Sequence, residues 1–184
     1  MAAVATCRSH LSFTAAFTYN ARNLVFGEFS MSQSPQYQPP PADVFTNRRE
    51  VRIEWGDCDP AMIVFYPRYF AFFDASTAYL FEAAGLPKPA MIKTYDIVGI
   101  PIVDTSAKFF VPSRFGDRVV IESHVREWRR SSFRIAHQLL KDGQVAIQAE
   151  EVRVWAGRDP DRPEGIRACP IPQEVIERFR NAAS

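Results

Sequence analysis

Residues 67–85 constrain this chain more than any other stretch. Pro67 suits the first turn of a helix, Gly85 suits the residue just past its end, and Pro87 bars continuation. Between them Tyr69, Phe72, Phe73, Leu80, Phe81 and Ala84 recur at three- and four-residue steps. That spacing predicts one helix over Arg68–Ala84, lined with aromatics and buried on most sides. Strand patterns surround it. Glu50–Trp55 alternates polar and apolar residues, and Asp117–Trp128 and Phe133–Leu140 do the same. Ile97–Phe110 reads as one long strand. Val145–Trp155 reads as the partner of the strand before Lys141-Asp142-Gly143-Gln144, whose Asp-Gly pair signals a tight hairpin. Pro89–Tyr95 reads as a connection and Gln173–Asn181 as a closing helix. One helix followed by a four-strand meander predicts an α+β domain with an antiparallel sheet, not a βαβ fold.

The domain is expected to span residues 47–184. Residues 1–46 form an N-terminal extension. Its first part, Met1–Phe29, has Arg8, Arg22 and many small or hydroxylated residues, but no acid before Glu28. This composition resembles a transit peptide without a secretory apolar core. Met31 opens a Pro- and Gln-rich, linker-like run. The preferred reading takes Met31 as the native start, with the residues before it no part of the cellular protein.

Across the 184 residues the net charge is +1, so no global field favours nucleic acid or a membrane surface. Cys7, Cys58 and Cys169 are too few and too far apart for a disulfide framework, which suits a reducing cytosol. No run is long and apolar enough for a membrane-spanning helix. A Gly-x-Ser-x-Gly elbow, a P-loop and a dinucleotide fingerprint are all missing. His124 and His137 lie in strand patterns without partners at zinc spacing, so no metal and no separate cofactor are expected.

Chemistry is expected in the loop Trp55-Gly56-Asp57-Cys58-Asp59-Pro60, between strand and helix. Asp57 and Asp59 lie just ahead of a helix N-terminus, whose unpaired N–H groups favour negative charge. On the loop alone, turn formation is the better explanation of two such carboxylates. Cys58 beside them reads as an inert thiol, with no activating histidine near in sequence. Asp74 is an isolated charge inside the apolar helix pattern. Arg129 and Arg130 fall at a strand end, where a forked pair suits phosphate, and Arg167 is a weaker basic candidate.

Together, Gly56-Asp57-Cys58-Asp59-Pro60-Ala61, Tyr66-Pro67, Tyr69, Asp74-Ala75, Gly85-Leu86-Pro87, Pro101-Ile102-Val103 and Glu127-Trp128-Arg129-Arg130 resemble the 4-hydroxybenzoyl-CoA thioesterase family of hotdog-fold acyl-CoA thioesterases. The resemblance runs from about Val51 to Pro172. It implies an antiparallel sheet wrapped around one long central helix. It implies hydrolysis of an aromatic acyl-CoA, with coenzyme A as part of the substrate. Asp59 matches the catalytic carboxylate, acting as nucleophile or general base. Tyr66 matches the residue whose backbone N–H polarises the thioester carbonyl. Asp74 matches a carboxylate that meets the aryl hydroxyl across a subunit interface. Arg129, Arg130 and Arg167 match residues that hold the coenzyme A phosphates. Dimers or tetramers with interfacial sites are implied too. The chain departs from the family pattern at Met62, where glycine is expected, at Phe65 in place of tryptophan and at Ser131 in place of lysine. A branch acting on short aliphatic acyl-CoAs uses a histidine just after the loop, and none stands in Phe65–Tyr69. Aliphatic acyl-CoA hydrolysis, dehydratase chemistry and non-catalytic acyl-CoA binding are the alternatives.

Overall fold

The computed structural model describes residues 34–162 and 164–183. The expectations about Met1–Phe29 and about Met31 lie outside these residues. Five strands, β1 (Thr46–Arg52), β3 (Ile102–Phe109), β4 (Arg118–Trp128), β5 (Ser132–Lys141) and β6 (Gln144–Val154), form an antiparallel sheet ordered β1-β4-β5-β6-β3. Helix α1 (Tyr66–Ala83) crosses one face of that sheet. This is the expected α+β hotdog architecture.

Helix α1 starts and stops for the reasons its sequence suggests. Pro67 occupies the first turn. At the other end Leu86 N–H donates to Phe81 O at 2.9 Å and Gly85 N–H to Glu82 O at 2.9 Å, with Gly85 at φ 75°. This crossed pair of bonds satisfies the last carbonyls, and the left-handed φ suits glycine. Burial is one-sided, however. Tyr69, Phe72, Phe73, Ser76, Thr77, Leu80 and Phe81 form a single stripe, while Ala71, Asp74 and Tyr79 are exposed. The expectation of a helix buried on most sides fails within one chain, because the sheet lies against only one face. Two apolar clusters divide that face along the helix axis. Near its start, Val51, Ile53, Tyr69 and Phe73 pack with Val119 and Ile121. Near its end, Leu80 and Phe81 pack with Phe133, Trp155 and Phe179. Phe73 and Phe81 are almost wholly buried, worth about 2–3 kcal/mol each.

The long strand expected over Ile97–Phe110 is in fact two. A short strand β2 (Ile97–Gly99) pairs with β7 (Ala156–Arg158), and β7 pairs with β8 (Ile166–Ala168) in a second sheet. The β3–β6 ribbon continues as β2–β7 after a bend at Ile100-Pro101 and Trp155, where Val154 N–H donates to Pro101 O. Proline has no N–H for a ladder, so pairing breaks there. The connection expected over Pro89–Tyr95 contains a helix, α2 (Lys88–Tyr95), which buries only Met91 and so carries little periodic signal. The closing helix α3 (Gln173–Ala182) and the hairpin at Asp142-Gly143 match expectation, with positive φ at both turn residues.

Residues 34–45, assigned to the extension from sequence, pack on the sheet. Tyr37 donates its hydroxyl to buried Glu122 at 2.9 Å, and Ser34 Oγ donates to Val145 O at 3.0 Å. The ordered body therefore begins before Asn47. Isolated polar contacts of this kind leave no periodic trace.

Candidate active site

The acidic loop is a small hairpin in which the two carboxylates have different surroundings. Asp57 is buried. Its Oδ2 accepts from Glu54 N–H at 2.9 Å, and its Oδ1 accepts from Arg68 Nε and Nη2 at 2.9 and 2.7 Å. Both oxygens are spent on holding the loop to the helix. A bridge between Cys58 and Val64 then brings Asp59 opposite Ile63, with Asp59 N–H donating to Ile63 O at 2.9 Å. Pro60, Ala61 and Met62 make the three-residue connection. Asp59 Oδ1 accepts from Ala61 N–H at 2.8 Å, while Oδ2 has no partner among the described residues. One oxygen is fixed and the other is free for chemistry. Cys58 is half-buried and turns its Sγ to Glu54 O at 3.9 Å.

Met62 sits at φ 63°. It fills the third loop position, where such hairpins call for a left-handed residue, usually glycine. An L side chain there costs about 1–2 kcal/mol, and the extra unfolded-state freedom of glycine offsets about 0.5–1 kcal/mol. Met62 is largely exposed, so its loss sacrifices little packing. Met62→Gly is expected to raise stability by about 0.5–1 kcal/mol in urea titration. An unchanged or lower midpoint would show that the methionine makes compensating contacts.

The start of α1 follows at once. Phe65 N–H donates to Asp57 O at 2.8 Å, and Arg68 N–H donates to Phe65 O at 2.8 Å. Pro67 has no N–H. The backbone N–H of Tyr66 is therefore left without a partner among the described residues, at the positive end of an 18-residue helix. Beside it opens an apolar cleft of about 320 Å³ lined by Ile63, Val64, Tyr66, Tyr69, Phe109 and Val111. Tyr69 fixes the cleft wall by accepting from Ser113 N–H at 3.2 Å, and burial raises its phenol pKa. A free carboxylate oxygen, an unspent helix-start amide and an apolar cleft suit attack on a carbonyl whose oxygen gains charge.

The other expected site residues lie further off. Asp74 projects from the middle of α1 with its side chain 58% exposed, and its Oδ1 accepts from Arg153 Nη2 at 2.7 Å. Arg129 is forked onto Glu127 through Nε at 2.8 Å and Nη2 at 3.1 Å. Arg130 and Arg167 have no such side-chain partner among the described residues. Ile171 N–H donates to Arg130 O at 2.8 Å, which stitches the arginine turn to the segment after β8. This basic corner stands at the Trp128 end of β4, whereas Ile53 N–H joins the acidic loop to Asp117 at its start. Eleven residues of strand separate the two ends by about 33 Å. One chain thus sets Asp59 in the loop that leads into the helix start at Tyr66 and holds the arginines at the far end of β4.

Sequence reading missed the charges under α1. Glu151 and Arg153 on β6 are almost wholly buried, with Thr77 Oγ1 donating to Glu151 Oε2 at 3.0 Å. His137 stacks on Phe73 at 5.0 Å, receives or gives a hydrogen bond with Ser123 Oγ at 2.8 Å, and brings Nε2 to 3.5 Å from Glu151. Burial alone would raise the Glu151 pKa, but His137 and Arg153 outweigh it and hold the carboxyl below its usual range. A signal did exist: residues 147, 149, 151 and 153 share one face of the strand, so two charges fall on an apolar face.

The thioesterase-like superfamily model matches residues 53–179. A 4-hydroxybenzoyl-CoA thioesterase of Pseudomonas sp. (strain CBS-3) is 39% identical over 132 residues, covering 68% of this chain and 92% of that protein. A mutant 4-hydroxybenzoyl-CoA thioesterase solved with 4-hydroxybenzoyl-CoA superposes with TM-score 0.67 at 36% identity, over 73% of this chain and 98% of its own. A gentisyl-coenzyme A thioesterase superposes with TM-score 0.61 at 33% identity, over 72% of this chain and 98% of its own.

Proposed function

The chain belongs to the thioesterase-like superfamily, and from that membership we propose that it hydrolyses an aromatic acyl-CoA such as 4-hydroxybenzoyl-CoA to the free acid and coenzyme A. The observation that carries the reading is the pairing of a half-free Asp59 carboxylate with the unspent Tyr66 amide beside an apolar cleft. The names of two similar proteins, one acting on a 4-hydroxybenzoyl thioester and one on a gentisyl thioester, favour an aryl group.

In the nucleophilic form of the mechanism, Asp59 Oδ2 adds to the thioester carbonyl carbon. The Tyr66 N–H donates to the oxygen that becomes negative. The C–S bond then breaks, coenzyme A leaves as thiolate, and a mixed anhydride remains. Water cleaves the anhydride, regenerates the Asp59 carboxylate, and supplies the proton that the thiolate takes up. In the general-base form Asp59 instead removes a proton from the attacking water. Thiol release from aryl and aliphatic CoA thioesters tests the reading. Aryl substrates should turn over with the higher kcat/KM, and preference for short aliphatic substrates would overturn it.

Separation of the basic corner from Asp59 supports a site shared between two copies. Strand β3 is an edge with Ile102, Val103 and Phe109 exposed, whereas the opposite edge, β1, carries Arg48, Arg49, Glu50 and Arg52. Charges discourage pairing at an edge and apolar residues invite it. Antiparallel pairing of β3 with the same strand of a second copy would set the Phe109 end of one against the Ile102 end of the other. The Asp59 end of each sheet would then face the Asp74 and arginine end of its partner. Arg130 and Arg167, without a side-chain partner among the described residues, would meet phosphates more readily than Arg129, which Glu127 already neutralises. Arg130→Ala should raise KM about three- to tenfold with kcat nearly unchanged, and Arg129→Ala less. Equal effects of the two substitutions would contradict this ranking. No described helix is long and apolar enough to cross a membrane. The free thiols of Cys58 and Cys169 suit a reducing compartment such as the cytosol.

A further inference from the structure

Arg153 is 4% exposed, yet it uses every edge of its guanidinium. Nε and Nη2 reach Glu151 Oε2, each at 2.8 Å, and Nη1 donates to Ile100 O at 3.2 Å. Nη2 also donates to Asp74 Oδ1 at 2.7 Å. Glu151, 1% exposed, is held in turn by Thr77. The planar fork cannot rotate without breaking several of these contacts. Asp74 is consequently clamped through Oδ1, and Oδ2 has no partner among the described residues. A buried ion pair of this kind is weak evidence for stability, since apolar residues often serve the core as well. Its geometric result is a fixed, acceptor-only carboxylate oxygen on the open face of α1.

We propose that Arg153, itself oriented by Glu151, is a positioning residue that aims the Asp74 carboxylate and thereby sets the preference for an acyl ring bearing a hydroxyl. The inference rests on the aryl-CoA reading above and on Asp74 as the group that meets the hydroxyl. An ionised carboxylate accepts the phenolic O–H and has nothing to offer a bare C–H. A site built for that hydrogen bond rejects the substrate that lacks it. Lysine in place of arginine keeps the charge but lacks the fork, so it holds Asp74 in no single orientation.

The test compares kcat/KM for 4-hydroxybenzoyl-CoA with that for benzoyl-CoA in the full-length protein. The preference for the hydroxylated substrate should fall about fivefold or more in Arg153→Lys and at least as far in Asp74→Asn. The double variant should show no lower preference than Asp74→Asn alone, because Arg153 acts through Asp74. Should Arg153→Lys fail to fold, Glu151→Gln combined with Arg153→Met removes both buried charges and should show the same fall. An intact preference in the folded Arg153 variant, with Asp74→Asn still lowering it, overturns the proposal and leaves the aryl reading standing. Additive losses in the double variant also overturn it. A wild-type protein that hydrolyses neither substrate sinks the aryl reading and this inference together.

Discussion

Asp59→Asn is expected to lower kcat for the preferred aryl-CoA by about 10²–10⁴-fold, the range removed with a general base or nucleophile. The fold should survive. Asparagine keeps a side-chain oxygen to accept the Ala61 N–H, so the turn that shapes the loop is retained. KM should move little, because the contacts proposed for coenzyme A lie at the basic corner. Thermal melting and steady-state thiol release on one preparation check both halves of the claim. Near-wild-type hydrolysis by a folded Asp59→Asn protein would sink the mechanism. Asp57→Asn provides the contrast. It weakens a buried carboxylate held by Arg68 and by Glu54 N–H. Its cost should therefore appear in stability before it appears in turnover. Single-turnover hydrolysis in ¹⁸O-labelled water tests the nucleophilic role of Asp59. Label in the Asp59 carboxylate after release marks the anhydride route, whereas label confined to the product acid fits both general-base catalysis and water attack on the aryl carbonyl of the anhydride.

The contrast between Asp57 and Asp59 shows how far the sequence carries. Both carboxylates read as turn formers or catalysts, and resemblance to a family was needed to divide them. The hydrogen bonds then give a physical basis: Asp57 has no free oxygen, while Asp59 keeps one. Local signals predicted the elements that depend on them. Pro67 and Gly85 bounded α1, and Asp142-Gly143 made its hairpin. Features that depend on packing were poorly legible. Helix α2 buries a single methionine, and the bend at Ile100-Pro101 hides inside a continuous apolar run. Glu151 and Arg153 interrupt the inward face of β6, and the partners that make such charges tolerable there include Thr77 and Asp74, which only the fold brings across from α1. The arginines were visible as a basic pair, whereas their distance from Asp59 follows from the length of β4 and could not be read from a motif.

Tyr66→Pro isolates the proposed carbonyl-polarising donor, because the group concerned is a backbone N–H that ordinary side-chain replacement leaves in place. In the backbone, proline deletes that N–H and little else at this position. The first turn of a helix tolerates it, since no intrahelical bond is lost there. Phe65 already has φ −63° and ψ 120°, the extended conformation required before proline. Tyr66 already precedes Pro67, so the substitution adds no new restriction on the second helical residue. The ring of Tyr66 lines the cleft and touches Phe65 edge-on at 5.4 Å. Tyr66→Ala is therefore the proper reference, since it removes the ring and keeps the donor. Relative to Tyr66→Ala, Tyr66→Pro should lose about 10²–10³ in kcat, the range seen on removing one oxyanion donor and equal to about 3–4 kcal/mol. The loss should appear in kcat and kcat/KM alike, because the bond strengthens only as the carbonyl oxygen gains charge. Equal turnover by the two variants, both folded, would mean that the helix-start amide does not contact the reacting carbonyl. A KM increase with unchanged kcat would instead assign the amide to ground-state binding.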